Sequence, residues 1–219
     1  MAEVRVIESV LRAGQEVADR NRERLDAAGV LGVNLMSAPG SGKTTLLQQT
    51  IPALAPARCA VFVGDLQTSR DAERIAASAA AAVQINTGRG CHLNPMQVQL
   101  GLDETPLDEL DYLFIENVGN MVCPAAHTLG EHYNVALLSV PEGDDKVAKY
   151  PTLFQRADAI LLNKIDLIEH LDFDRERVRA DLDQINTRAP CFALSTRTLE
   201  GLEAWLAWLR QAHAALPAR

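Results

Sequence analysis

The stretch Ser37-Ala38-Pro39-Gly40-Ser41-Gly42-Lys43-Thr44 has the residue types of a phosphate cradle. Glycines let backbone N–H groups turn onto an anion, and a helix opening behind them adds the positive end of its dipole. In that arrangement Lys43 reaches the β- and γ-phosphates of a nucleotide and Thr44 places its hydroxyl on Mg²⁺, while Gly40, Ser41, Gly42 and Thr45 line the cradle. The general P-loop pattern GxxxxGK[ST] has glycine where Ser37 stands. An apolar run before the motif and Thr45-Leu46-Leu47 after it supply the strand and helix that a P-loop requires.

Other polar groups fall at the ends of apolar runs. Asn163-Lys164-Ile165-Asp166 offers a carboxylate, Asp166, that can accept from both N1 and N2 of guanine; adenine has no such donor pair, which favours GTP over ATP. Ser195 follows the last apolar run and suits either support of the guanine loop or a plain turn. Asp65 and Glu116 close two further runs and are expected beside Mg²⁺, so Lys43, Asp65 and Glu116 form the candidate catalytic group. The polar segment from Asp65 to Asp71 could close over the γ-phosphate as a switch, although Asp71 equally suits a helix cap.

A third constellation is metal-ligating. Cys91 and His92 are adjacent in a glycine-containing loop, and Cys123 follows Glu116 by seven residues. Two thiolates and an imidazole suit Zn²⁺ or Ni²⁺ and leave a fourth position open. The short chain from Glu116 to Cys123 would let the γ-phosphate influence the metal. Cys59 and Cys191 sit in apolar runs and read as small buried hydrophobes. His127, His132, His170 and His213 lack ligand spacing and are expected at the surface.

These groups need a scaffold that gathers strand ends. Apolar runs at 31–36, 59–64, 83–85, 112–115, 135–140, 159–162 and 191–194 alternate with helical stretches. That pattern predicts an α/β fold: a P-loop NTPase with a mostly parallel, about seven-stranded sheet covered by helices on both faces. Before it, Val4, Ile7, Leu11, Gly14, Ala18, Asn21 and Leu25 recur at helical spacing. Residues 1–29 are therefore expected to form an amphipathic helix and residues 30–219 a single compact GTPase domain. With 219 residues, 47% apolar, and a net charge of -8, the chain can bury a core but offers no broad cationic face to nucleic acid or anionic lipid. No apolar run approaches membrane-spanning length, no signal peptide is legible, and four cysteines do not make a disulfide framework, so a cytoplasmic location is expected.

The P-loop, Gly64-Asp65, Gly90-Cys91-His92, the run from Ile115 to Pro124 and Glu142-Gly143-Asp144-Asp145-Lys146 together resemble the HypB family of hydrogenase nickel-incorporation GTPases, from Val4 onward. The resemblance implies a GTPase that helps deliver nickel to the [NiFe]-hydrogenase large-subunit precursor, working with a small zinc-containing chaperone of the HypA type. It implies zinc or nickel on Cys91, His92 and Cys123 near a nucleotide-dependent homodimer interface, with Lys149 touching the partner's nucleotide and Leu167 and Leu171 as contact residues. No Cys or His precedes Cys59, so nickel is expected to use the Cys91, His92, Cys123 site or to come from a partner. Competing readings are a urease-type accessory GTPase, a P-loop small-molecule phosphotransferase and a zinc-stabilised scaffold.

Overall fold

The computed structural model describes residues 3–65, 72, 75–88 and 90–217, with side chains from Arg12 onward. The expected switch from Leu66 to Asp71 lies outside the described residues, as do the side chains of Val4, Ile7 and Leu11.

Strands β1 (Leu31–Ser37), β2 (Cys59–Asp65), β3 (Ala81–Asn86), β4 (Tyr112–Glu116), β5 (Tyr133–Ser139), β6 (Ala159–Asn163) and β7 (Cys191–Ala193) form a sheet in the order β3-β2-β4-β1-β5-β6-β7. Every pairing is parallel, which bears out the expected fold class. Strand β1 lies between β4 and β5, so the chain order reverses there and the carboxyl ends of the flanking strands diverge into a crevice. The P-loop rises from β1 into that crevice.

The strands read as continuous apolar runs because both faces of the sheet are covered. Their period of two divides the side chains. On one face Val33 and Leu35 of β1, Val61 and Val63 of β2, and Leu137 of β5 pack with Leu46 and Leu47 of α2 (Lys43–Ala53) and with Trp205 and Leu209 of a C-terminal helix, Leu202–Ala214. The fully buried Trp205 satisfies its indole N–H on Thr50 Oγ1, 3.1 Å away. On the other face Phe62, Leu113 and Ile115 pack with Leu25 of α1 (Glu3–Ala27) and with Val98 and Leu102 of α3 (Pro95–Asp103), while Met36, Leu138 and Ile160 meet Phe154, Val178 and Leu182. Helix α3 starts where it does because Asn94 and Gln97 close a reciprocal capping box and Pro95 occupies the first turn.

Helix α1 buries Ala18 and Leu25 as its spacing predicts, and adds a buried polar anchor. Asn21 is fully buried and its amide donates to Pro95 O at 2.9 Å, at the first residue of α3, and to Leu129 O at 3.0 Å, on the loop before β5. Replacing Asn21 with Ala leaves both carbonyls without that donor inside the protein, and we expect a loss of roughly 1–3 kcal/mol in urea unfolding. A loss below about 0.5 kcal/mol would show that water replaces the amide.

Two expectations need correction. His132 is not a surface histidine: its side chain is 7% exposed, Nδ1 accepts from Gly32 N–H at 2.9 Å, and Nε2 lies 2.7 Å from Asp26 Oδ1. The turn into β5 folds the ring under the end of α1. Cys191 is exposed rather than buried, because it opens the short edge strand β7.

Candidate functional site

The P-loop floor is built by short polar contacts. Gly40 and Gly42 take φ of 75° and 103°, a left-handed region that other residues avoid, and Lys43 then begins α2. A Cβ on Gly42 would stand 2.6 Å from Asn163 Nδ2, so this glycine is required on two counts. Ser37 fills the position that the general motif gives to glycine; its Oγ accepts from Lys43 Nζ at 2.8 Å. Lys43 is largely buried, its ammonium held across the cradle rather than out in solvent.

The strand-end carboxylates meet this floor. Thr44 Oγ1 donates to Glu116 Oε1 at 2.7 Å, tying the start of α2 to the end of β4. Asp65 ends β2 and lines the same cavity, about 490 Å³, together with Lys43, Thr44, Thr45 and Glu116. The loop that follows β4 passes so close that a Cβ on Gly119 would lie 2.9 Å from Pro39 N.

The segment from Asn163 to Asp166 is tied to the cradle. Asn163 Nδ2 donates to Ser41 O at 2.9 Å, while its Oδ1 accepts from Lys164 N and Thr196 N. Lys164 adopts the left-handed φ of 61° and its Nζ donates to Gly40 O at 2.6 Å. Asp166 Oδ1 accepts from Ser195 Oγ at 2.6 Å, and Ser195 Oγ in turn accepts from Arg197 N and Thr198 N. Ser195 thus orients the carboxylate; Thr196, which sequence reasoning passed over, joins the wall of the cavity.

Cys91, His92 and Cys123 come together although they lie on two loops. One ligand atom from each lies within 4.8 Å of the others, and Cys91 Sγ is 3.6 Å from His92 Nδ1. Tetrahedral zinc with sulfur and nitrogen at about 2.0–2.3 Å holds its donors roughly 3.5–4 Å apart, so a small closure of this cluster fits the ion. Burial, and then the neighbouring His127, lower the His92 pKa and keep the ring neutral with a lone pair to offer. The hydrogen bond to Cys123 raises the Cys91 thiol, so metal binding there must expel a proton.

The CobW/HypB/UreG nucleotide-binding domain family matches residues 32–193. The hydrogenase maturation factor HypB of Escherichia coli (strain K12) is 47% identical over 210 residues, 95% of this chain and 72% of that protein. The chain belongs to the HypB family. Two solved HypB structures share its fold: that from Helicobacter pylori in complex with nickel (TM-score 0.86, 40% identity, covering 92% of this chain and 95% of that one), and that from Archaeoglobus fulgidus (TM-score 0.86, 38% identity, 93% and 100%).

Three placements stand out beside the roles expected from sequence. Lys149 lies outside the phosphate cavity, exposed and paired with Asp145, whose carboxyl it holds below the usual range. Leu167 and Leu171 do not share a helical face. Ile165–His170 is a 3₁₀ turn of three residues per turn, and Leu167 packs partly on the core while Leu171, beyond its end, is 43% exposed. His127, set aside on spacing, stacks its ring on His92 with centroids 4.7 Å apart. Its neighbourhood arises from a turn at Pro124–Ala126 that no ligand-spacing rule encodes.

Proposed function

We propose that this chain is a GTP-hydrolysing metallochaperone whose nucleotide state governs the Cys91, His92, Cys123 site and which assists nickel insertion into [NiFe]-hydrogenase. The observation that carries the reading is the placement of three metal-type donors within 4.8 Å of one another on loops that border the strand ends of a phosphate cradle. Close relatives carry the name hydrogenase maturation factor, and one family structure holds nickel. Residues 30–219 act as the GTPase domain and residues 1–29 as a helix packed on it. Nickel is cargo, and the Cys91, His92, Cys123 donor set suits zinc or nickel with a fourth position open. The working partners in this reading are a second copy of the chain, a HypA-type chaperone and the hydrogenase precursor, in the cytoplasm. No described helix is long and apolar enough to cross a membrane.

Bound GTP with Mg²⁺ supplies a terminal phosphoryl group that water can attack. Lys43 would neutralise the phosphates, while Thr44, Asp65 and Glu116 would supply oxygen donors to a divalent cation, which would offset developing phosphate charge. Gly40, Ser41, Gly42 and Thr45 turn N–H groups inward, and Asp166, oriented by Ser195, accepts from the guanine edge. Asn163 and Lys164 hold base loop and cradle in one register, so recognising the base also shapes the phosphate floor.

Calorimetric titration tests the reading. GTP and GDP should bind at least about 100-fold more tightly than ATP, because adenine leaves the Asp166 carboxylate without its two donors. Asp166→Asn should erase that preference and leave zinc affinity unchanged. Equal binding of ATP and GTP by the unaltered chain would favour the phosphotransferase reading instead.

A further inference from the structure

The Cys91-His92 loop and the phosphate cradle are far apart in sequence, and the covalent path from Glu116 to Cys123 accounts for only one side of the metal cluster. We propose that Asn117 is the positioning residue that transmits the state of the phosphate site to Cys91 and His92, while Asn120 holds the two cysteine loops to each other. This inference rests on the metal-linked GTPase reading above and deepens it.

Glu116 and Asn117 are consecutive, and the β-strand alternation sends their side chains in opposite directions. Glu116 meets Thr44 in the cavity; Asn117, 2% exposed, borders the same cavity, but its side-chain amide makes its bonds elsewhere. There its Oδ1 accepts from Leu93 N at 3.1 Å, one residue beyond His92. Its Nδ2 donates to Asn34 Oδ1 at 3.2 Å, and Asn34 Nδ2 donates to Asn134 Oδ1 at 2.9 Å. The Asn117 amide is therefore held at both ends by buried partners, and breaking either bond costs more than it would at the surface. A shift of the β4 end must then be passed to Leu93 rather than absorbed.

Leu93 is the matching receiver. It is fully buried, and it packs on the other carboxylate strand as well: a Cβ on Gly64, next to Asp65, would lie 2.7 Å from Leu93 Cγ. One residue thus touches the neighbours of both Asp65 and Glu116 and lies next to His92. Gly119 against Pro39 presses the same β4 loop onto the P-loop. Asn120 has a different geometry. Its Nδ2 donates to Cys91 O at 3.3 Å while its Oδ1 accepts from Val122 N at 2.8 Å and Cys123 N at 3.4 Å, so it bridges the donors without reaching the cradle.

The two amides consequently have separable effects. Zinc affinity of the full chain, measured against a competing chelator with GDP and with a non-hydrolysable GTP analogue, gives a coupling ratio of about 5–150-fold in the unaltered protein. In Asn117→Ala the ratio falls to about one; in Asn120→Ala zinc binds more weakly in both states by the same factor and the ratio survives. A merely structural role for Asn117 would lower affinity without touching the ratio. Amide exchange at Leu93 in metal-free protein supplies a second readout that needs no variant: its protection should differ between GDP and the GTP analogue. If the unaltered protein shows no coupling, the functional reading and this inference fail together. A coupled protein in which Asn117→Ala keeps the ratio overturns this inference alone. Should that variant not fold, equal Leu93 protection in the two nucleotide states overturns it in the same way.

Discussion

Lys43→Ala lowers kcat/KM for GTP hydrolysis by at least about 100-fold, the loss typical when a preorganised donor to developing charge is removed. The ammonium is set for that work before any nucleotide arrives: it is buried, held 2.8 Å from Ser37 Oγ, and stands at the first residue of α2, where the helix dipole adds to its charge. Arg in its place keeps charge but adds a planar fork too large for the cradle, so Lys43→Arg should recover little. Phosphate release measured at saturating Mg²⁺ checks the effect, and calorimetry of GDP separates lost binding from lost chemistry. Zinc affinity without nucleotide should stay at its original value in both variants. Hydrolysis within about threefold of the unaltered rate would remove Lys43 from the catalytic group.

Cys123→Ala should weaken zinc by more than about 100-fold, since changes to mere supporting groups around a metal already cost about 10–100-fold. The side chain is only half-buried, so its truncation leaves no core cavity, and the metal-free protein should melt at its original temperature. The stabilisation that zinc confers on the unaltered chain should vanish in the variant, because it depends on zinc concentration relative to Kd. Cys59→Ser is the matched control. Cys59 is buried in the strand core and burial pushes its thiol up to about 12, so it presents no thiolate to a metal at neutral pH. A zinc affinity that falls equally in both variants would mean that the three donors are not the binding site.

The fold was legible because buried parallel strands announce themselves as apolar runs whatever their neighbours. All seven runs are strands, with boundaries off by up to two residues. The expected start of β3 falls short of Ala81 because alanine carries little intrinsic strand signal, and that of β5 falls short of Tyr133 because Asn134 interrupts the apolar run. Helical spacing likewise picked out Ala18 and Leu25 on α1. It counted Asn21 in the same stripe, without showing that an amide sits there to satisfy two carbonyls.

Candidate groups at strand ends were also legible: the glycine-rich loop, Asp166, Asp65 and Glu116, and the sulfur and imidazole donors all stand out by side-chain type and local pattern. Tertiary structure alone decided which of them meet. Thr44 and Glu116 are 72 residues apart, Asn163 and Ser41 are 122 apart, and His132 finds Asp26 across 106. Parallel strands joined by helical crossovers bring remote carboxyl ends to one edge, and pairing register rather than spacing sets who faces whom. The stacked His92 and His127, the 3₁₀ pitch that parts Leu167 from Leu171, and the Asn117 link to Leu93 are products of that register and of burial, which makes each polar group find a partner wherever the chain has placed one.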